Sequence, residues 1–328
     1  MEAMEMLIYK DLNLRGNPFD PPRADLRDPE NIIIVGEGHR SIYNNLLNDA
    51  KNIIKRGDER SRGYILTGGW GSGKTAIVKK MKYDLKQQLK ENLRTLYIRV
   101  AQGGPNILFG QIREAIEKEV SEVFGEKYIT EREKIKISDL ADLSRKTLNV
   151  LGNTMEKYSF LLLILDQFEN LIFGSIGKAD DEIEIFMRFL RDLLDLPKTT
   201  NQGNIMVVIT SLPSSWEASS KDYRSLIRGY FERKLPEKIS IEDSKVLFSE
   251  LLRKFWIEEI EENPFYPFTE PAVEDIYYIS AGNIGLIYQN ACNILREAAI
   301  RGVTKIDSRF VRIARGGYRI EWVQELET

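Results

Sequence analysis

Gly68-Gly69-Trp70-Gly71-Ser72-Gly73-Lys74-Thr75 is the stretch on which the fold turns. It fits the pattern GxxxxGK[ST], and its flanks fit as well: a short strand-like run ends at Thr67 and a helical pattern opens at Lys74. Glycines let the backbone curl so that successive N–H groups point inward, where they meet phosphate oxygens. The N-terminus of the following helix adds partial positive charge. Lys74 is expected to reach the β- and γ-phosphates, and Thr75 to offer its hydroxyl to Mg2+. All eight residues are therefore candidate nucleotide contacts, against the plainer reading of a glycine-rich turn. Trp70 is an uncommon occupant, placed either to stack on a ligand or to shield the phosphates.

A phosphate loop needs an acid at a neighbouring strand end to hold Mg2+ through water. Phe160-Leu-Leu-Leu-Ile-Leu165 reads as a central strand, buried on both faces, that delivers Asp166 to its C-terminal edge, where ligands of α/β sheets sit. As a bare sequence feature, Asp166 also reads as the cap of a following helix. Gln167 comes next. Its amide can orient a water but cannot accept a proton, so hydrolysis is expected to be slow. Glu169 is a substitute base if the chain turns toward the site, and otherwise an exposed loop acid. Thr210 and Ser211 end another strand-like run and suit a hydroxyl sensor of the γ-phosphate, although such residues also form turns. Arg228 and Arg233 stand ahead of the run taken as the fifth strand, where the residues alone read as solvated guanidiniums.

Five strands are expected: Gly63–Thr67, Thr95–Val100, Phe160–Leu165, Ile205–Thr210 and Lys238–Ile241. Helical patterns lie between them, including one over Asp222–Arg233, so the sheet should be parallel and covered by helices on both faces. After Ile241 four helices follow, over Glu242–Phe255, Glu270–Ser280, Ile284–Arg301 and Asp307–Ala314. The division expected is an irregular arm over 1–30, an α/β domain over 31–242, a helical domain over 243–316 and a tail over 317–328. At 328 residues the chain exceeds the usual single-domain size, which agrees with two domains.

Composition narrows the chemistry. The 42% apolar and 30% charged fractions suit a folded soluble chain, and no apolar run approaches the ~20 residues of a membrane span. The acidic opening Met1-Glu-Ala-Met-Glu-Met lacks the marks of a secretory leader, so a cytoplasmic location is expected. One cysteine, Cys292, excludes an internal disulfide, and one histidine, His39, argues against His-ligated metals and His-based triads. The net charge of −3 does not advertise a nucleic-acid binder, although a local basic face can be hidden by acid elsewhere.

The phosphate loop, the Asp166 strand and the helical tail together resemble the AAA+ ATPases, P-loop proteins with a five-stranded parallel sheet and a small helical lid. Within them the chain is most similar to the origin-recognition and archaeal initiator group, and to the related STAND and transposition-regulator ATPases. Asn17-Pro18-Phe19 and the box Val35-Gly36-Glu37-Gly38-His39-Arg40 are similar to segments of those initiators, which adds Val35 and Gly36 to the candidate nucleotide contacts. Asp166-Gln167-Phe168-Glu169 resembles the acidic strand end of some STAND proteins. Ser280-Ala-Gly282-Asn283-Ile-Gly285 resembles the start of the lid helix that carries an arginine over the γ-phosphate. Here that position is Gly285. Initiators also carry a winged-helix domain after the lid, and about a dozen residues follow Arg315 here, so DNA binding would have to use the core, the lid or a partner.

The resemblance implies ATP and Mg2+ as ligands, a homo-oligomer, and either DNA or a protein partner. It alone implies that a guanidinium of Arg228 or Arg233 reaches a neighbouring subunit's nucleotide. One reading is a nucleotide-dependent switch or clamp on DNA, in replication initiation, partition or transposition. The other is a STAND-like switch that signals to a protein without touching DNA. The cluster Arg301, Lys305, Arg309, Arg312, Arg315 and Arg319 favours DNA, with 305, 309 and 312 expected on one helical face, or else is a solvated or intersubunit face. Thr304-Lys305-Ile306-Asp307 resembles a guanine-reading motif but lies in the helical tail, and no DxxG follows the phosphate loop, so a GTPase is rejected. A small-molecule kinase shares the loop but not the lid or the sensor-like strand.

Overall fold

The computed structural model describes residues 8–56, 61–89, 93–102, 104–124, 140–155, 160–173, 180–200, 204–220 and 227–315. They form two compact units. One holds Ser41–Gly69 and Ile77–Leu235; the other holds the described residues up to Arg40, the short run Trp70–Ala76, and those from Pro236 on.

The first unit is built on β1 (Arg62–Thr67), β2 (Leu93–Arg99), β3 (Phe160–Asp166), β4 (Asn204–Ser211) and β5 (Tyr230–Lys234). The order is β2-β3-β4-β1-β5, and every pairing is parallel. All seven residues of β3 are buried, as an unbroken apolar run predicts for a strand covered on both faces. Alternation splits it: Leu161, Leu163 and Leu165 join a core with α3 (Pro105–Phe124), α4 (Leu140–Met155) and α6 (Asp180–Thr200). Leu162 and Ile164 alternate with them and are equally buried. The helices α1 (Glu37–Arg56) and α2 (Lys74–Leu89) bury Leu46 and Ile53, and Val78, Met81 and Leu85. Two short helices not expected from the sequence follow strand ends, α5 (Glu169–Phe173) and α7 (Pro213–Ser220), the latter opening on a proline where its missing N–H costs nothing.

The fifth strand corrects the sequence reading. It is Tyr230–Lys234, overlapping the end of the segment expected as helix, and not Lys238–Ile241. Gly229 at φ 100° interrupts a helical path, and the charged pattern that mimicked a surface helix belongs to an edge strand, paired among the described residues with β1 alone. Gly63 makes room for it, since a Cβ there would lie 2.2 Å from the Tyr230 ring. The Tyr230 hydroxyl donates to Leu190 O at 2.8 Å. Arg228 and Arg233 thus stand just before and within β5. Lys238–Ile241 is no strand because Ser240 accepts from the Asp243 N–H and caps α8 (Ile241–Phe255).

The second unit packs α8, α9 (Glu270–Ile279), α10 (Ile284–Arg301) and α11 (Ser308–Arg315) around Leu247, Phe248, Phe268, Ile276, Ile287 and Leu295. Caps mark the boundaries: Thr269 and Asn283 accept from the N–H groups of Ala272 and Leu286, and Gly302 at φ 66° ends α10. The irregular N-terminal segment contributes Tyr9, Leu12, Leu14 and Phe19 to this same core. Asn17 ties it there. The Asn17 amide donates to Cys292 O at 3.0 Å and its oxygen accepts from the Phe19 N–H at 3.0 Å. The Arg27 guanidinium lies 3.5 Å from the centre of the Tyr288 ring.

Candidate functional site

At the C-terminal edge of the sheet, Asp166 ends β3 fully buried. Both carboxylate oxygens take hydroxyl donors: Thr210 to Oδ1 at 2.5 Å and Tyr97 to Oδ2 at 2.6 Å. A buried carboxylate requires such partners. Thr210 also accepts from the Gln167 N–H at 2.9 Å. Gln167 itself sits at φ 63°, the left-handed region that a non-glycine residue seldom enters. Its amide oxygen accepts from Arg99 Nε at 2.8 Å. Because Arg is a donor only, the oxygen must face it, leaving the Gln167 NH2 as the group on offer.

Glu169 opens α5 and is 1% exposed, so it is not the exposed loop acid that was one of its two readings. Thr210 is brought to Asp166 and Gln167. Ser211 is turned elsewhere: its hydroxyl donates to Leu212 O at 3.3 Å. Arg228 and Arg233 are exposed, and Arg233 donates to Glu232 O at 3.1 Å. Tyr97 and Arg99 escaped the sequence reading. They end β2, and only the register that sets Tyr97 opposite Ile164 and Arg99 opposite Asp166 reveals them.

In the other unit, Trp70–Ala76 carries most of the phosphate loop. Gly71 at φ 73° and Gly73 at φ 91° adopt the conformation that the glycine pattern anticipates. Ser72 and Lys74 are buried, and Trp70 is 68% exposed. Asn283 Nδ2 donates to Trp70 O at 2.9 Å, and the Gly285 N–H to Gly71 O at 3.0 Å. His39 Nε2 lies 2.9 Å from Ser72 O. Burial holds His39 below its ordinary range, while the Ser72 carbonyl and the Asp243 charge pull the other way. Val35 is buried in the core, and the Gly36 N–H donates to Asp243 Oδ1 at 3.1 Å. The Ser72 hydroxyl is buried with no hydrogen-bond partner among the described residues. Together with two left-handed glycines, that arrangement would suit an anion.

The basic cluster is only partly helical. Asp307 accepts from the Phe310 N–H and starts α11 at Ser308, which leaves Lys305 ahead of the helix. Arg309 and Arg312 are exposed one turn apart on it, Arg301 is bonded to Glu297 at 2.6 Å, and Arg319 lies outside the described residues.

Residues 56–217 match the family model of an AAA domain. No curated protein gives a match. Among solved structures the chain is similar to the Orc1 protein of Aeropyrum pernix in complex with DNA, at 14% identity and a TM-score of 0.61, over 90% of this chain and 69% of that one. It is similar to Cdc6p of Pyrobaculum aerophilum at 16% identity and 0.60, over 94% and 73%. The ORC2 protein of Aeropyrum pernix, in ADPNP-ADP complexes, matches at 15% and 0.59, over 95% and 73%. At these identities the likeness is one of fold, an AAA+ P-loop fold resembling that of the origin-recognition and archaeal initiator group. No described helix is long and apolar enough to cross a membrane.

Proposed function

We propose that this chain is an ATPase that binds ATP with Mg2+ and acts as a slow, nucleotide-dependent oligomeric switch or clamp in a DNA transaction. The observation that carries the reading is the phosphate loop itself, with its left-handed Gly71 and Gly73, its Ser72 hydroxyl without a partner among the described residues and Lys74 at the start of α2. Lys74 supplies the point charge for the β- and γ-phosphates, and Thr75 and Asp166 are the residues this chain offers to Mg2+. Bound Mg2+ would neutralise developing phosphate charge.

Slow turnover is argued from Gln167. With its amide oxygen held by Arg99 it presents a donor, which can orient a water and cannot take its proton. Among the described residues, Glu169 is a further carboxylate three positions past Asp166, at the start of α5. Exposed Arg228 and Arg233 are available to complete a neighbour's site, which is the argument for a homo-oligomer.

The DNA role draws on the likeness to an Orc1 protein solved with DNA and on the exposed Lys305, Arg309 and Arg312. The net charge of −3 is the observation that favours the alternative, a STAND-like switch acting on a protein partner. Mass measurements of the full chain with ATP or ADP, with and without duplex DNA at two salt concentrations, separate the two. The proposal expects ATP-dependent oligomers and DNA binding that weakens as salt rises. ATP-dependent oligomers that ignore DNA at low salt would leave the protein-directed switch, and a chain that stays monomeric with ATP under all conditions would refute both.

A further inference from the structure

We infer that His39, Asn283 and Gly285 are positioning residues that brace the phosphate loop, holding three successive loop carbonyls so that the loop N–H groups face the bound phosphates. This rests on the reading of Trp70–Thr75 as a nucleotide site. All the groups involved lie within one compact unit. The carbonyl oxygens of Trp70, Gly71 and Ser72 meet, in order, Asn283 Nδ2, the Gly285 N–H and His39 Nε2 at 2.9, 3.0 and 2.9 Å. A carbonyl only accepts, so the His39 nitrogen facing Ser72 carries the proton.

The consequence follows from peptide geometry. A trans peptide is planar, and its C=O and N–H point in opposite directions. Fixing the oxygens of residues 70, 71 and 72 therefore turns the N–H groups of Gly71, Ser72 and Gly73 away from their three braces. Those N–H groups are the ones a loop of this kind offers to phosphate. Without the brace, each peptide unit would have to be ordered when nucleotide binds, at the expense of affinity.

The brace also accounts for two glycines. A Cβ at Gly71 would lie 2.3 Å from Asn283 Oδ1, and a Cβ at Gly285 would lie 2.7 Å from Gly71 Cα. At the position where the resemblance places an arginine, this chain brings helix backbone against loop backbone. Gly285 contributes an N–H to the loop in place of a cation to the γ-phosphate.

Asn283 has two functions that substitution separates. Its Oδ1 accepts from the Leu286 N–H at 3.1 Å and caps α10, while its Nδ2 braces Trp70. Asn283→Asp keeps the cap but sets a carboxylate oxygen against a carbonyl; Asn283→Ser keeps a capping hydroxyl and removes the brace. The experiment measures Mg-ATP and Mg-ADP affinity of the full-length wild type and both variants, the melting temperature without nucleotide, and steady-state hydrolysis. Loss of one hydrogen bond predicts binding of both nucleotides weakened about 5–10-fold, with the melting temperature of the capped helix retained. Because the brace acts on phosphate binding itself, KM should rise while kcat stays. Wild-type affinity in either folded variant, or a fall in kcat at unchanged KM, overturns the inference. If Asn283→Asp fails to fold, Asn283→Ser decides alone. A wild type that binds neither nucleotide refutes the nucleotide reading instead.

Discussion

Replacing Thr210 with valine keeps the shape of the side chain and removes a hydroxyl that links two groups at the sheet edge. The hydroxyl donates to Asp166 Oδ1 at 2.5 Å and accepts from the Gln167 N–H at 2.9 Å, with Thr210 and Asp166 both fully buried. Leaving the part-buried Gln167 N–H without its partner costs up to the about 1–3 kcal/mol of a fully buried group, and losing a bond to a carboxylate about 1.5–3 kcal/mol. The added methyl returns about 0.8 kcal/mol. The net loss expected is about 2–5 kcal/mol, or roughly 5–15 °C of melting temperature for a unit of this size. Urea denaturation followed by circular dichroism measures it, with Thr210→Ser as the control that keeps the hydroxyl. Tyr97 still donates to Oδ2 in the variant, so Asp166 retains one hydroxyl partner. Thr210→Val within about 1 kcal/mol of wild type, or Thr210→Ser falling as far as Thr210→Val, would refute the reasoning.

His39 gives a pH dependence with a definite sign. Its folded pKa is lowered by burial, so the unfolded chain binds a proton that the folded chain refuses. Stability is therefore full above about pH 6.5 and is lost as pH falls through that value toward the lower folded one. His39 is the sole histidine, so His39→Gln should flatten the loss between pH 7.5 and 5.5 (roughly the range over which free imidazole titrates) in denaturation measurements. Gln167→Glu restores a carboxylate beside Asp166 and should raise ATP turnover at least ~10-fold, toward the ~10²–10⁴ of general-base help; an unchanged rate in a wild type already turning over at tens per second counts against the slow-site reading. Glu169→Gln should slow hydrolysis and spare ATP binding if Glu169 is the substitute base. Arg233→Ala should lower turnover by ~10-fold or more while binding is kept, and equal turnover in assembled wild type and variant would remove Arg233 from the site.

What the sequence revealed and what it hid divide along physical lines. The phosphate loop and β3 were legible because each is a local pattern: glycines where φ turns positive, and an apolar run where both faces are covered. The caps of α8, α9 and α10 lie close to the helix starts read from periodicity. β5 was hidden because an edge strand, paired on one side, tolerates the charges of Tyr230–Lys234 that otherwise signal a surface helix. Tyr97 and Arg99 were hidden for another reason. Nothing near them in sequence points to Asp166 and Gln167; the β2–β3 register brings them there. Thr210 reads from the sequence as a candidate phosphate sensor or a turn-former; its hydroxyl bond to Asp166 depends on the order β3-β4 and is not legible there. Lys305 was assigned to a helix that Asp307 starts later.

The most direct test of the central claim is equilibrium binding of Mg-ATP by the wild type and by Lys74→Ala, with circular dichroism to confirm that the variant is folded. Lys74 is buried at the start of α2, directly after the loop whose backbone is proposed to cradle the phosphates. Removing its charge should weaken ATP binding by ~100-fold or abolish it, since a charge-assisted bond inside such a cradle is among the stronger polar contacts. Tight binding by the wild type with its loss in a folded Lys74→Ala chain is the predicted result. Equal affinity in both would contradict the assignment of the phosphate loop as the nucleotide site.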